Sequence, residues 1–371
     1  DLFATEGGTA AMCYIFDSLV GNGLLHKGDR IALGVPVFTP YLEIPELDKY
    51  GFDVTYVHGS AADGEGNATF QYPDQEIDKL GDRSIKAFFV VNPSNPTSVM
   101  ISEKSRRYMV NVVRNLNPNL MILTDDVYGT FVPGFVSLMH DLPANTLCVY
   151  SFSKYFGATG WRLGVIALHE NNVYDDMLGA IPQGEKDRLG KMYESLTLTP
   201  QKLKFIDRLV ADSRDVALNH TAGLSTPQQI QMMLFSAFCL FDREGRYKDD
   251  AIGPLRNRYK LLWDGLEWPV VPDPNRASYY CEIDISEWAI KTHGMEFFDW
   301  LKRNFEPVDI VFRLAERCSV VLLNGGGFAG PEWSVRVSLA NLGDDDYSRI
   351  GTILRRTLEE YAGSWEETVK P

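Results

Sequence analysis

Six short apolar runs, at residues 31–35, 52–57, 85–91, 120–124, 147–152 and 165–168, set the plan of this chain. Each is strand-length and rich in β-branched or aromatic residues, and most are separated by turns and helical stretches. Strands alternating with helices pack as α/β, and in such sheets ligands gather beyond the carboxyl ends of the strands. The residues just past each run are therefore where chemistry is expected. Asn92-Pro93-Ser94-Asn95 follows the third run, Asp125-Asp126-Val127-Tyr128 the fourth, and Ser153-Lys154 the fifth.

The fifth run opens the most informative stretch, Ser151-Phe152-Ser153-Lys154 continuing to Gly160-Trp161-Arg162-Leu163-Gly164. A lysine at a strand end is ordinarily a solvated surface charge. Beside aromatic and apolar residues, desolvation can instead make such an amine nucleophilic enough for a Schiff base. Ser151 and Arg162 can bind an anion nearby, the guanidinium offering a fork of donors to phosphate. A reactive lysine beside a phosphate clamp points to pyridoxal phosphate.

Other segments carry a functional and a plain reading side by side. Gly7-Gly8-Thr9 precedes a helix expected to start near Gly8, whose free N–H groups and dipole suit an anion; glycine and threonine are also ordinary turn residues. Phe38, past the first run, either stacks on a planar ring or fills core. Asn95 either donates to a ligand oxygen or sits in a tight loop held extended by two Asn-Pro steps. Asp125 and Asp126 fit a cap, a metal site or a cofactor contact, metal fitting least because no histidine is near in sequence. Asp125 and Tyr128, three apart, can face one ligand. The helical stretch from 173 to 214 reads either as a solvated insertion or as a surface for a partner subunit. Near Trp268 the pattern changes to a second set of elements, with strands expected at 279–285, 319–323 and 334–339, and a triple glycine at 325–327 as hinge or ligand loop. Arg336 either holds a carboxylate or pairs with an acid.

The totals bound the remainder. A chain of 371 residues with 45% hydrophobic content suits two domains, here 1–265, with a helical insertion at about 173–215, and 266–371. A net charge of -14 and dispersed basic residues argue against a nucleic-acid partner. Five scattered cysteines form no metal spacing and, being odd in number, no complete disulfide set, so a cytoplasmic setting is expected. No apolar run is long enough for a bilayer span, so no membrane association is expected. The chain opens with Asp1 rather than Met, and an upstream portion is expected.

Together these segments resemble the fold-type-I, class I/II aminotransferase superfamily of pyridoxal 5'-phosphate enzymes over nearly the whole chain. The resemblance implies a large three-layer α/β/α domain on a mainly parallel mixed sheet, plus a smaller α+β C-terminal domain. It implies Lys154 as Schiff-base lysine and proton carrier, Ser151 and Arg162 as phosphate ligands, and Ser153 among the cofactor contacts. Gly7, Gly8 and Thr9 resemble the family's Ser-Gly-Thr phosphate loop, with Gly7 in place of serine. Phe38 occupies the place of the stacking aromatic, and Asp125 and Tyr128 those of the pyridinium and phenolate partners. Asn95 matches the asparagine of Asn-Pro-Thr-Gly, with Ser98 in place of the glycine. Asn95 and Arg336 are the implied substrate contacts, Arg336 for the α-carboxylate.

Within the superfamily, residues 92–98, 124–131 and 150–164 and the insertion after Val173 are similar to the aspartate 4-decarboxylases, which form homo-oligomers built from dimers and whose longer N-terminal portion contributes contacts. That branch implies L-aspartate as substrate and a 2-oxo acid for the accompanying transamination. Between His220 and Gln231 no arginine is present, whereas ordinary aspartate aminotransferases hold the distal carboxylate with one in that region. An ordinary aminotransferase and a non-catalytic sensor domain are the alternatives.

Overall fold

A computed structural model describes residues 1–62, 68–216, 224–270 and 272–369. The start of the arginine-free stretch between His220 and Gln231 lies outside them. The strands are β1 (Leu2–Thr5), β2 (Arg30–Val35), β3 (Asp53–His58), β4 (Ser60–Ala62), β5 (Ala68–Gln71), β6 (Ile85–Val91), β7 (Met121–Asp125), β8 (Thr146–Ser151), β9 (Gly164–Leu168), β10 (Tyr280–Asp284), β11 (Leu323–Asn324) and β12 (Ser334–Ser338). Seven of them form one mixed sheet in the order β1-β9-β8-β7-β6-β2-β3, while β4 and β5 pair as a small ribbon. Only β9 runs against its neighbours; the other ladders in this sheet are parallel.

The pattern of side chains explains the layers. Every residue of β7, and all of β6 except Lys86, is buried, as expected for parallel strands covered on both faces. Helix Gly8–Gly21 covers one face with Met12, Ile15, Phe16 and Leu19. Phe16 stacks on Phe89 of β6 with ring centroids 4.4 Å apart. Helix Glu103–Leu116, capped by the Ser102 hydroxyl accepting from Ser105 N–H at 3.2 Å, covers the other face with Met109, Val112 and Val113. The smaller sheet, ordered β10-β12-β11, is antiparallel. It packs with helices Ile285–His293, Met295–Asn304, Asp309–Cys318 and Asp344–Val369.

Two expectations change. The strand read at 319–323 shrinks to Leu323–Asn324, because helix Asp309–Cys318 buries Ile310 and Leu314 at helical spacing and extends to that point. Ser319 then turns the chain at φ 56°, and Val320 N–H returns to the Leu314 carbonyl at 3.1 Å. The stretch after Val173 forms helices Val173–Ala180, Gln183–Tyr193 and Phe205–Val216, and it is more than a solvated insertion. Phe205 and Leu209 are fully buried, and a buried polar cluster ties the segment to helix Gly8–Gly21. Asp212 accepts hydrogen bonds from Ser18 (2.7 Å), Asn22 (3.0 Å) and Tyr193 (2.7 Å), and Arg208 donates to Asn22 Oδ1 at 2.9 Å.

Asp212→Ala strips those three donors of their acceptor. The expected cost is about 2–4 kcal/mol. In urea unfolding this appears as a lower midpoint with an unchanged slope.

Candidate active site

Beyond the carboxyl ends of β6, β7 and β8 lies a pocket that brings the polar residues of successive strands together. Gly8, Thr9, Phe38, Asn95, Asp125, Tyr128, Ser151, Ser153, Lys154 and Arg162 all line it. Gly7 and Arg336 are not on its wall, but each touches a residue that is.

One end is built for an anion. Helix Gly8–Gly21 points its N-terminus into the pocket, with Gly7 at the cap position in the left-handed half of φ, at 91°. A Cβ on Gly7 would lie 2.6 Å from Arg162 Nη2, so only glycine allows the guanidinium to lie against this turn. Gly164 is constrained in the same way, since its Cβ would fall 2.7 Å from the Gly7 Cα. Arg162, at φ 54°, is steadied by donating to the Thr159 carbonyl at 3.1 Å. Ser151 and Ser153 meet through their hydroxyls at 2.9 Å, and the Thr159 hydroxyl donates to the Ser153 carbonyl at 3.1 Å. Backbone N–H groups, hydroxyls and a guanidinium thus converge where a phosphate would sit.

The floor is Asp125. Its carboxyl is buried, and desolvation raises its pKa, while hydrogen bonds from the Tyr41 hydroxyl (2.7 Å) and the Val127 N–H (3.1 Å) and the charge of Lys154 pull it down. Lys154 lies just after β8, its Nζ 5.8 Å from the centre of the Tyr279 ring. Tyr128 and Tyr280 share a hydroxyl–hydroxyl bond of 3.2 Å, and burial pushes the Tyr128 phenol well above its ordinary value, so it stays a neutral donor. Phe38 meets Tyr41 edge-on at 5.7 Å.

Arg336, on the small sheet, touches the pocket wall at Asn95. Its Nη1 donates to Asn95 Oδ1 at 3.2 Å, and its guanidinium lies over the rings of Tyr280 (4.4 Å) and Phe328 (4.9 Å). Burial lowers its pKa, and its Nε is buried with no hydrogen-bond partner. Among the described residues no carboxylate pairs with it. A buried cation lacking a counter-ion beside a lysine pocket has the chemistry to receive a carboxylate.

Ser98, where the family pattern has glycine, adopts φ 60° and is fully buried. Its hydroxyl accepts from the N–H groups of Tyr279 (3.0 Å) and Tyr280 (3.2 Å), tying the Asn95 loop to β10. Tyr41, Thr159, Tyr279 and Tyr280 belong to the site but were not singled out from sequence. Tyr41 follows Phe38 by three, one turn on, and that spacing was its only signal; the tyrosine pair starts a strand and reads as core.

The donor set fits pyridoxal phosphate: an anion cradle at the helix N-terminus, a buried carboxylate on the floor, a neutral phenol, a lysine, and an unpaired guanidinium for a carboxylate. The fold and site define a class, and the family model for aminotransferase class I and II matches residues 5–350. The chain belongs to this family of pyridoxal-phosphate enzymes. It is similar, at 50% identity over 360 residues, to a protein of Pseudomonas sp named bifunctional aspartate aminotransferase and L-aspartate beta-decarboxylase. That match covers 97% of this chain and 67% of the relative, so the chain spans about two thirds of that protein's length. An aspartate aminotransferase of Pyrococcus horikoshii is 25% identical over 154 residues, covering 40% of this chain and 36% of its own. Among solved structures, the N-succinyldiaminopimelate aminotransferase of Mycobacterium tuberculosis superposes with a TM-score of 0.66 at 18% identity, covering 95% of this chain and 77% of that one. The aspartate aminotransferase of Thermotoga maritima superposes at 0.62 with 20% identity, covering 97% and 75%. These two show the fold.

Gly7→Ala places a methyl group against Arg162 and strains the cap. Retention of pyridoxal phosphate should weaken by roughly tenfold or more, a loss of at least ~1.4 kcal/mol. Cofactor absorbance after exhaustive dialysis reads this directly.

Proposed function

We propose that this chain catalyses β-decarboxylation of L-aspartate to L-alanine and carbon dioxide, with amino transfer from aspartate to a 2-oxo acid as its accompanying activity. The observation that carries this reading is the 50% likeness, over 97% of the chain, to a relative named for both activities. The site supports it with one buried guanidinium for one carboxylate, Arg336. The segment between His220 and Gln231 contains no arginine that would hold a second. A carboxylate that must leave is poorly served by strong ground-state anion binding, since such binding is lost as carbon dioxide forms.

In this reading the N–H groups at Gly8 and Thr9, with Ser151, Ser153 and Arg162, hold the cofactor phosphate. Phe38 covers the ring face, Asp125 keeps the ring nitrogen charged, and Tyr128 and Asn95 donate to the ring hydroxyl oxygen. Bound there, pyridoxal phosphate supplies an electron sink for bonds breaking at substrate Cα and Cβ. Lys154 anchors the cofactor covalently and, once displaced by substrate, takes the proton from Cα and returns it. Arg336, held by Asn95, binds the α-carboxylate and so fixes which bonds at Cα and Cβ face the pocket. The balance is one aspartate and one proton giving one alanine and one carbon dioxide, the added proton ending on Cβ.

A homo-oligomer built from dimers belongs to the same proposal. Helix Thr226–Phe241 supports it by leaving Met233, Leu234, Leu240 and Phe241 more than half exposed, an apolar face of the kind subunits cover. A cytoplasmic setting is also part of it, with all five cysteines free. No helix among the described residues is long and apolar enough to cross a membrane.

The test is the protein loaded with pyridoxal phosphate and given L-aspartate alone. Catalytic alanine and carbon dioxide are expected without added oxo acid. Oxaloacetate formed only when an oxo acid is supplied would make it an ordinary aminotransferase, and no turnover under either condition would sink the enzymatic reading. Lys154→Ala should remove turnover and the cofactor's imine absorbance together.

A further inference from the structure

We infer that a second small-molecule site lies between the two sheets, beside the Lys154 pocket, and that it takes a zwitterionic α-amino acid with an apolar side chain. A cavity of about 510 Å³ opens there, within the size range of small-ligand pockets. Four aromatic side chains stand on its wall. Trp263 and Trp268 stack with centroids 5.8 Å apart, and Tyr259 and Phe70 complete an apolar lining.

Three charged groups on this lining, Arg276, Glu282 and Asp284, have no ionic partner among the described residues, and of these Asp284 is taken up by the helix it caps. Glu282, on β10, stands opposite Arg336 in the β10–β12 register, yet the two do not pair. The Glu282 carboxyl instead accepts from the Ser334 hydroxyl at 3.1 Å, and burial, reinforced by Asp284, pushes its pKa up to about 7. Arg276 lies over the Tyr259 ring at 4.9 Å with its Nε buried and unpartnered. The other charges on the cavity are committed. Lys291 pairs with Glu287, and Asp284 caps the following helix by accepting from the Glu287 N–H at 3.1 Å. One unpaired acid, one unpaired base and an aromatic lining together complement an ammonium, a carboxylate and an apolar body.

This site is distinct from the Lys154 pocket yet built on the same segments. Tyr280 and Glu282 alternate onto one face of β10, the first into the Lys154 pocket and the second into this cavity. Pro36 lies two residues before Phe38, and Thr97 two residues after Asn95. Neither the family's cofactor chemistry nor the proposed reaction uses Glu282 or Arg276.

The test uses the protein loaded with pyridoxal phosphate and N,N,N-trimethyl-L-phenylalanine, which keeps both charges but cannot condense with an aldehyde. Calorimetric titration should show saturable binding with the cofactor absorbance unchanged. Affinity should fall at least about tenfold in both Glu282→Gln and Arg276→Gln. On the unaltered protein, benzyltrimethylammonium and 3-phenylpropionate, each lacking one charge, should also bind at least about tenfold more weakly, which tests the idea even if a variant misfolds. No saturable binding, equal affinity for either singly charged analogue, or displacement of the probe by succinate, which would place it at Arg336, would overturn the proposal. None of these readouts depends on turnover, so they stand or fall apart from the decarboxylase assignment.

Discussion

The structure turns on a carboxyl buried at the end of the middle strand of its main sheet. Asp125 closes β7, flanked by β6 and β8, where removal from water penalises its charged form. That penalty organises what surrounds it. The Tyr41 hydroxyl and the Val127 N–H satisfy its two oxygens, and Lys154 supplies the nearest opposing charge. A pyridinium nitrogen resting on this floor would be held in its cationic form by the same carboxylate, which is the state needed for an electron sink.

Much of this layout is legible in the chain because parallel strands advertise themselves. The runs at 85–91 and 120–124 are buried on both faces and so read as unbroken apolar segments. The polar residues just after them fall where α/β sheets place ligands, which brought Asn95, Asp125, Tyr128 and Lys154 forward together. What escaped notice escaped for physical reasons. Tyr41 looks like core, since a tyrosine in a short helical turn gives no sign that its hydroxyl meets a carboxylate 84 residues away. Tyr280 starts a half-buried strand in a different sheet, and only tertiary packing brings it to Tyr128. Helix Asp309–Cys318 was missed because the apolar residues after it resembled a strand, although Ser319 has already turned the chain and only Leu323–Asn324 pairs. The polar cluster around Asp212 was hidden by similar logic, charged residues on a predicted helix being read as solvated.

The two departures from the family pattern have the same structural character. At position 7 the loss of a serine hydroxyl removes a donor, but φ of 91° and the closeness of Arg162 make glycine the residue this turn accommodates. At position 98 the chain does the reverse, holding serine at φ 60°, where glycine is easiest. A single left-handed non-glycine residue costs about 1 kcal/mol. Two hydrogen bonds from the Tyr279 and Tyr280 N–H groups to its hydroxyl offset that cost.

The Ser98 exchange also couples the sheets. Glycine there would keep the turn and the Ala277 N–H bond to the residue-98 carbonyl, and lose the two hydroxyl bonds to the Tyr279 and Tyr280 N–H groups. With serine, that loop is joined to the small sheet twice, through Ser98 to the Tyr280 backbone and through Asn95 to the Arg336 guanidinium. Tyr280 then packs beneath that guanidinium and meets Tyr128 from the main sheet. Arg336, Tyr280 and Tyr128 are thereby joined in one continuous set of contacts across the two sheets. Through Tyr280, β10 touches both Tyr128 and Arg336, and through Glu282 it lines the neighbouring cavity. The two pockets therefore share one strand, with Tyr280 facing one and Glu282 the other.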